Sequence, residues 1–215
     1  MNQLQKYYQQ RAKEYELVYE KPERQEDLKK IHSYLQKQVV QANILEIACG
    51  TGYWTQTMAK TCQSIHASDY NTSVLEIAQA KAYGNTSVSF QQQDFWQLQT
   101  PVIKYDMVFG GFIWSHILKE NLLDFINILR QQIKEDGKLL FIDNRYVAGS
   151  STPISRTDKI DNTYQLRKLT NGEEYEVLKN FPNKKEVQQL ARELSLEIEW
   201  VDLQYYWIIQ LKHNK

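Results

Sequence analysis

Apolar side chains recur along this chain at two different periods, and the switches between them lay out the elements. Behind Pro22, Leu28, Ile31, Leu35 and Val39 fall at helical spacing, which predicts an amphipathic helix with its charged residues in water. Upstream, Tyr7, Tyr8, Arg11, Tyr15 and Tyr19 predict a shorter aromatic helix, suited either to pack on the main body or to close over a ligand. Asn43 to Ile47 reads as a short apolar strand, Trp54 to Ala59 as a helix and Ile65 to Ser68 as a second strand, which opens a βαβ unit. Asn71 or Thr72 caps a helix with Val74, Leu75 and Ala78 on one face, and the more polar Val88 to Gln92 is a third strand near a sheet edge. Tyr105 to Phe109 is a central strand. A helical stripe of Leu122, Phe125, Ile126, Leu129 and Ile133 precedes the fifth strand, Lys138 to Ile142.

The alternation stops after Ile142. Residues 145–161 are rich in turn formers, and Tyr164, Leu166, Tyr175 and Val177 flank Asn171-Gly172, which predicts an inserted β-hairpin. A two-residue turn there sets Leu166 opposite Val177 and Arg167 opposite Glu176. Asn183 and Glu186 have capping-box spacing ahead of an amphipathic helix through Val187, Leu190, Ala191 and Leu194. Leu196 to Val201 and Tyr205 to Leu211 are joined so briefly that they must pair antiparallel. The class is therefore α/β: a doubly wound, mostly parallel seven-stranded sheet with an antiparallel C-terminal strand, preceded by helices and carrying a β-hairpin insertion.

Charge narrows the partners. Lys plus Arg equals Asp plus Glu at 26 each, so nothing in the balance favours a nucleic-acid platform or an acidic membrane. No apolar run approaches the ~20 residues of a bilayer span, and a cytoplasmic protein, monomer or homodimer, is expected. Cys49 and Cys62 stand without metal-ligand spacing, so ordinary thiols rather than a disulfide or zinc site are expected.

The chemistry concentrates in Glu46-Ile47-Ala48-Cys49-Gly50-Thr51-Gly52, between a strand and a helix, where small residues let backbone approach a ligand. Asp69, at the end of the second strand, supplies a carboxylate able to accept from both hydroxyls of a ribose. The stretch lacks G-x-G-x-x-G, so it does not by itself specify a nicotinamide dinucleotide. Together with the order of elements, it resembles the acidic-x-Gly-x-Gly-x-Gly signature of the class I S-adenosylmethionine-dependent methyltransferases, with Ala48 in place of the first glycine.

The resemblance implies S-adenosyl-L-methionine as cofactor and S-adenosyl-L-homocysteine as product. It sets Ala48, Gly50 and Gly52 along the methionine portion, Glu46 at the loop in direct or organising contact, Asp69 at the ribose, and Asp94 with Phe95 at adenine. Tyr70 is expected beside adenine, Gly110 close to the cofactor, and Tyr8 and Arg11 closing over it. It also suggests boundaries within one domain, 1–215: a helical cap at 1–42, a cofactor-binding core at 43–144, a substrate-side insertion at 145–180, and completion of the core at 181–215. The family has no universal catalytic base. His116, which titrates near neutrality and follows Gly110-Gly111-Phe112-Ile113-Trp114, is the candidate, ahead of Asp143 and Tyr146, and structural use of its ring is the alternative. A small-molecule acceptor with an oxygen, nitrogen or carbon nucleophile is expected, contacted by Trp114, His116, Arg145, Tyr146 and Tyr164, with no metal. Methylation of protein or RNA, with Arg145, Arg156, Arg167 and Lys168 at phosphates, is one alternative; a noncatalytic S-adenosylmethionine-binding protein is another.

Overall fold

The computed structural model describes residues 3–214. Its main sheet is built from β1 (Asn43–Ile47), β2 (Ser64–Asp69), β3 (Ser87–Gln92), β4 (Tyr105–Gly111), β5 (Ile133–Asn144), β9 (Leu196–Asp202) and β10 (Tyr206–His213). The strand order is β3-β2-β1-β4-β5-β10-β9, with β10 alone antiparallel, as its tight connection to β9 requires. A second, three-stranded sheet joins β6 (Arg156–Thr157), β7 (Thr163–Lys168) and β8 (Glu174–Leu178), all antiparallel. The helices are α1 (Gln3–Gln10), α2 (Gln25–Gln38), α3 (Tyr53–Met58), α4 (Thr72–Gln79), α5 (Leu122–Arg130) and α6 (Lys184–Glu193). None among the described residues is long and apolar enough to cross a membrane.

Period-two alternation splits the core between the two faces of the sheet. Ile44, Met107, Phe109, Leu140 and Ile142 pack under α2 and α3, whereas Leu45, Ile47, Val108, Leu139 and Phe141 meet Phe125, Ile126 and Val187 of α5 and α6. β1 pairs with both β2 and β4, so chain connections leave it in opposite directions. That switch point opens a crevice at the carboxyl ends of the strands, where ligands of open α/β sheets bind. The Asn183–Glu186 capping box forms as its spacing demands: Asn183 accepts from the Glu186 amide and Glu186 from the Asn183 amide.

Three local expectations are corrected. The aromatic segment is not one helix: α1 stops at Gln10 and Ala12–Tyr19 continues in 3-10 turns. Its rings serve different partners, Tyr7 against Tyr175 and Tyr19 stacked 3.7 Å from Tyr53, and this tertiary packing outweighs helical propensity. Ile133 leaves the α5 stripe and pairs with Tyr105 as the first residue of β5. The hairpin loop has three residues, not two: the Leu169 amide donates to Glu173, the Gly172 amide donates to Leu169, and Gly172 takes φ +88, the left-handed geometry of a three-residue loop. Leu166 therefore faces Glu176 and Arg167 faces Tyr175. The Arg167 guanidinium lies over the Tyr7 ring of α1.

Candidate active site

The crevice holds a cavity of about 280 Å³ whose walls come from the ends of four consecutive strands. Ala48 and Gly50 form one side, both with left-handed φ (+48 and +56), so the turn after β1 curls its amides inward. The Asp69 carboxylate fixes that turn, accepting from the Gly50 amide at 2.9 Å through Oδ2 and from the Asn71 amide at 2.9 Å through Oδ1. Desolvation raises the Asp69 pKa from its ordinary value, against the pull of those amides. Tyr70, Asp94, Phe95 and Ile113 continue the wall; Asp94 spends Oδ1 on the Trp96 amide, and Phe95 rests on Phe125.

Tyr8, Tyr15 and Phe112 close the far side, and they also line a second cavity of about 370 Å³. That second space lies between the N-terminal segment, the end of β5 and the β7–β8 hairpin. At the common wall, Tyr8 Oη lies 2.6 Å from His116 Nε2, and His116 Nδ1 lies 2.6 Å from the Leu178 carbonyl. A carbonyl can only accept, so Nδ1 carries the ring hydrogen and Nε2 accepts from the Tyr8 hydroxyl. Burial first, then Lys179, depresses the His116 pKa to about 3, and burial pushes that of Tyr8 up to about 12. Beneath them Lys179 Nζ donates to Asp143 Oδ1 at 2.7 Å and to Ser115 Oγ at 2.6 Å, and Ser115 donates to Asp143 Oδ2 through both N and Oγ. This buried network ties the exit of β8 to the ends of β4 and β5.

Residues 44–137 match the family described as "Methyltransferase domain". That domain, with the strand order of the main sheet, gives this part of the chain the fold of the class I S-adenosylmethionine-dependent methyltransferases. A methyltransferase domain implies S-adenosyl-L-methionine as cofactor, given up as S-adenosyl-L-homocysteine. A curated relative, the malonyl-[acyl-carrier protein] O-methyltransferase of Bacillus cereus, is 33% identical over 102 residues, 46% of this chain. The match spans only 36% of that relative's length. Among solved structures, the DhpI-SAH complex superposes with a TM-score of 0.80 at 22% identity, covering 99% of this chain and 96% of that one. The DhpI-SAM-HEP complex gives 0.80 at 21% identity, over 96% and 94%.

The cavity at the switch point fits that cofactor by the chemistry of its walls. Asp69 keeps lone pairs for the ribose hydroxyls beyond those given to backbone, Asp94 Oδ2 suits the adenine amine, and Tyr70 and Phe95 offer ring faces. Tyr8 lies on this wall, whereas Arg11 lines only the second cavity. Glu46 is buried outside both, accepting from Thr55 Oγ1 at 2.6 Å, so it anchors α3 to β1. A Cβ on Gly52 would meet Tyr83 Oη at 2.4 Å and one on Gly110 would meet Ile113 at 2.8 Å, so both glycines serve packing.

Of the acceptor-side candidates only His116 lines either cavity, and it lines the cofactor side, behind Tyr8. Trp114 is core, against Phe141 and Trp207; Arg145 pairs with Asp202 at 3.1 Å; Tyr146 packs on Phe181; and Tyr164 lies under Arg156. Arg156 is itself paired with Glu176, so Arg145, Arg156, Arg167 and Lys168 do not converge on one phosphate-binding face. Sequence reasoning passed over Tyr15, Arg24, Asn144 and Lys179 as cavity residues. Only Tyr15 carried a signal, as part of the aromatic segment.

Proposed function

We propose that this chain methylates a small molecule held in the 370 Å³ cavity. The observation that carries the reading is the common wall: a cofactor seated along Gly50 and Asp69 and a molecule in the second cavity would meet at Tyr8, Tyr15 and Phe112. S-Adenosylmethionine supplies a methyl group activated by its sulfonium, and in-line transfer needs positioning more than covalent catalysis. Asp69 holds the nucleoside, the ring wall excludes water, and residues 145–180 form the acceptor side of one domain spanning 1–215. The O-methyltransferase name of the Bacillus cereus relative supports oxygen as the accepting atom.

Within this reading His116 is a positioning residue. Both ring nitrogens are engaged, and a pKa near 3 makes it a weak base, so its task is to hold the Tyr8 hydroxyl at the common wall. Single-turnover methyl transfer by His116→Asn should slow while keeping the wild-type shape of its pH profile; loss of a basic limb in that profile would restore the ring as base. The function itself is tested by incubating the protein with isotope-labelled S-adenosylmethionine and fractionated metabolites, alongside calorimetry with S-adenosylhomocysteine and NAD. Labelled small molecules and saturable S-adenosylhomocysteine binding are expected; label confined to protein or RNA, or preference for NAD, would defeat it.

A further inference from the structure

The acceptor cavity carries a charge that the chain as a whole does not. Basic and acidic residues balance at 26 each over the full sequence. Yet Arg11, Lys21, Arg24, Arg167 and Lys179 line this one space against the single carboxylate of Glu14, leaving aside Lys168, which alternates to the other face of β7. Glu14 is itself engaged by the Thr170 hydroxyl. Only Lys179 is matched by an acid, Asp143; among the described residues Arg11, Lys21, Arg24 and Arg167 enter no ion pair.

Arg24 makes the deficit plain. It is 6% exposed, and its guanidinium reaches only neutral oxygens: Asn144 Oδ1 at 2.8 Å and the Ser150 hydroxyl and carbonyl at 3.0 to 3.3 Å. A buried cation that trades water for neutral acceptors alone is incompletely compensated, and an anion in the cavity would supply the difference. Arg167 spends Nε and Nη2 on Gln165 Oε1 and lies over the Tyr7 ring, so its partners too are neutral. Two guanidinium forks facing one small space suit an oxyanion, whose oxygens accept paired N–H donors.

The common wall adds an independent argument. A hydroxyl or amine acceptor must shed a proton, and no free base stands there: both His116 nitrogens are engaged, and Asp143 is bound to Lys179 and Ser115. An acceptor that arrives ionised needs none. We infer that the acceptor is a small molecule bearing a phosphoryl or carboxylate group, and that an oxygen of this group takes the methyl. The oxygen lone pair forms the new C–O bond, and the pair of the breaking S–C bond stays on sulfur. The sulfonium and the oxyanion each lose one unit of charge, and no proton moves. The inference rests on the methyl-transfer reading above.

Calorimetry on the full chain separates the two. S-Adenosylhomocysteine is titrated first; then inorganic phosphate and acetate are titrated into the saturated complex, for wild type, Arg167→Gln, Arg11→Gln and, as a control on the outer face, Arg156→Gln. Saturable binding of at least one anion is expected, weakened tenfold or more in Arg167→Gln and Arg11→Gln and unchanged in Arg156→Gln. Affinity for S-adenosylhomocysteine should hold in all four. The stronger probe distinguishes a phosphoryl from a carboxylate acceptor. With labelled S-adenosylmethionine, the methylated product should elute from anion exchange one charge unit earlier than its acceptor. Normal S-adenosylhomocysteine binding without anion binding, equal anion affinity in wild type and both cavity variants, or a labelled product that keeps its acceptor's anionic charge would overturn the inference and leave methyl transfer standing. Failure to bind S-adenosylhomocysteine would overturn both.

Discussion

The two cavities that meet at Tyr8 are assembled by different means. The cofactor side is made of short turns at the ends of neighbouring strands, and its key carboxylate, Asp69, grips backbone 19 positions away in the chain. The acceptor side gathers the N-terminal segment, the end of β5 and the β7–β8 hairpin, with contacts such as Arg24 to Ser150 spanning 126 positions. One wall is a property of the sheet; the other depends on a separate small sheet pinned against it by the buried Lys179–Asp143–Ser115 network and by bonds from His116 and Asn180. The cofactor wall should therefore tolerate changes in the insertion, whereas the acceptor wall should weaken when the buried charge among its fastenings is lost.

The harshest way to break this contrast is Lys179→Met. It strands Asp143, fully buried, without its cation, and a loss of about 3–5 kcal/mol is expected in urea unfolding. A loss below about 1 kcal/mol would show that the network does not fasten the small sheet. Asp69→Ala should act on the cofactor side, weakening S-adenosylhomocysteine and, because the Gly50 and Asn71 amides lose their acceptor, costing the unliganded protein about 1–3 kcal/mol as well. Unchanged affinity would remove Asp69 from the nucleoside site.

Glu46, buried behind the cofactor side between β1 and α3, offers a pH-dependent probe of the scaffold there. Burial pushes its carboxyl from an ordinary value of 4.5 up to about 8. Between those values the folded protein keeps a proton that the unfolded chain has released, so the group's contribution to stability falls as pH rises through the window. Glu46→Gln stays neutral and can still accept from Thr55. It should match wild type near pH 5 and exceed it by about 1 kcal/mol or more at pH 8.5; a difference independent of pH would contradict the shift. The smallest effect belongs to Ala48→Gly, which removes a side chain held at φ +48 and should raise stability by about 0.5–1 kcal/mol in the same assay. Destabilisation would mean that the Ala48 methyl packs better than its backbone is strained.

The same contrast explains what could be read from the amino-acid order. Gly50, Asp69 and Asp94 were legible because each sits at the end of a strand, where the parallel topology fixes what lies opposite. The edge position of β3 followed from its polarity and the antiparallel pairing of β9 with β10 from their short connection. Arg24 and Lys179 were not legible: one looks like a solvated charge at the start of a helix, the other like a strand-end lysine, and burial of either depends on elements more than 30 residues distant. Gly52 and Gly110 misled in the opposite sense, since closeness to a ligand and closeness to neighbouring side chains ask for the same residue.

The three-residue hairpin loop gives this wall an unusual evolutionary handle. Loss of one codon between Thr170 and Gly172, with the loop re-formed at three residues, would slide β8 by one position, bringing Glu176 opposite Arg167 where Tyr175 now stands. A carboxylate would enter a cation-lined space without a single base substitution. Acceptor preference in descendants of this scaffold can thus jump by an indel, while the sheet that holds the cofactor inherits no change at all.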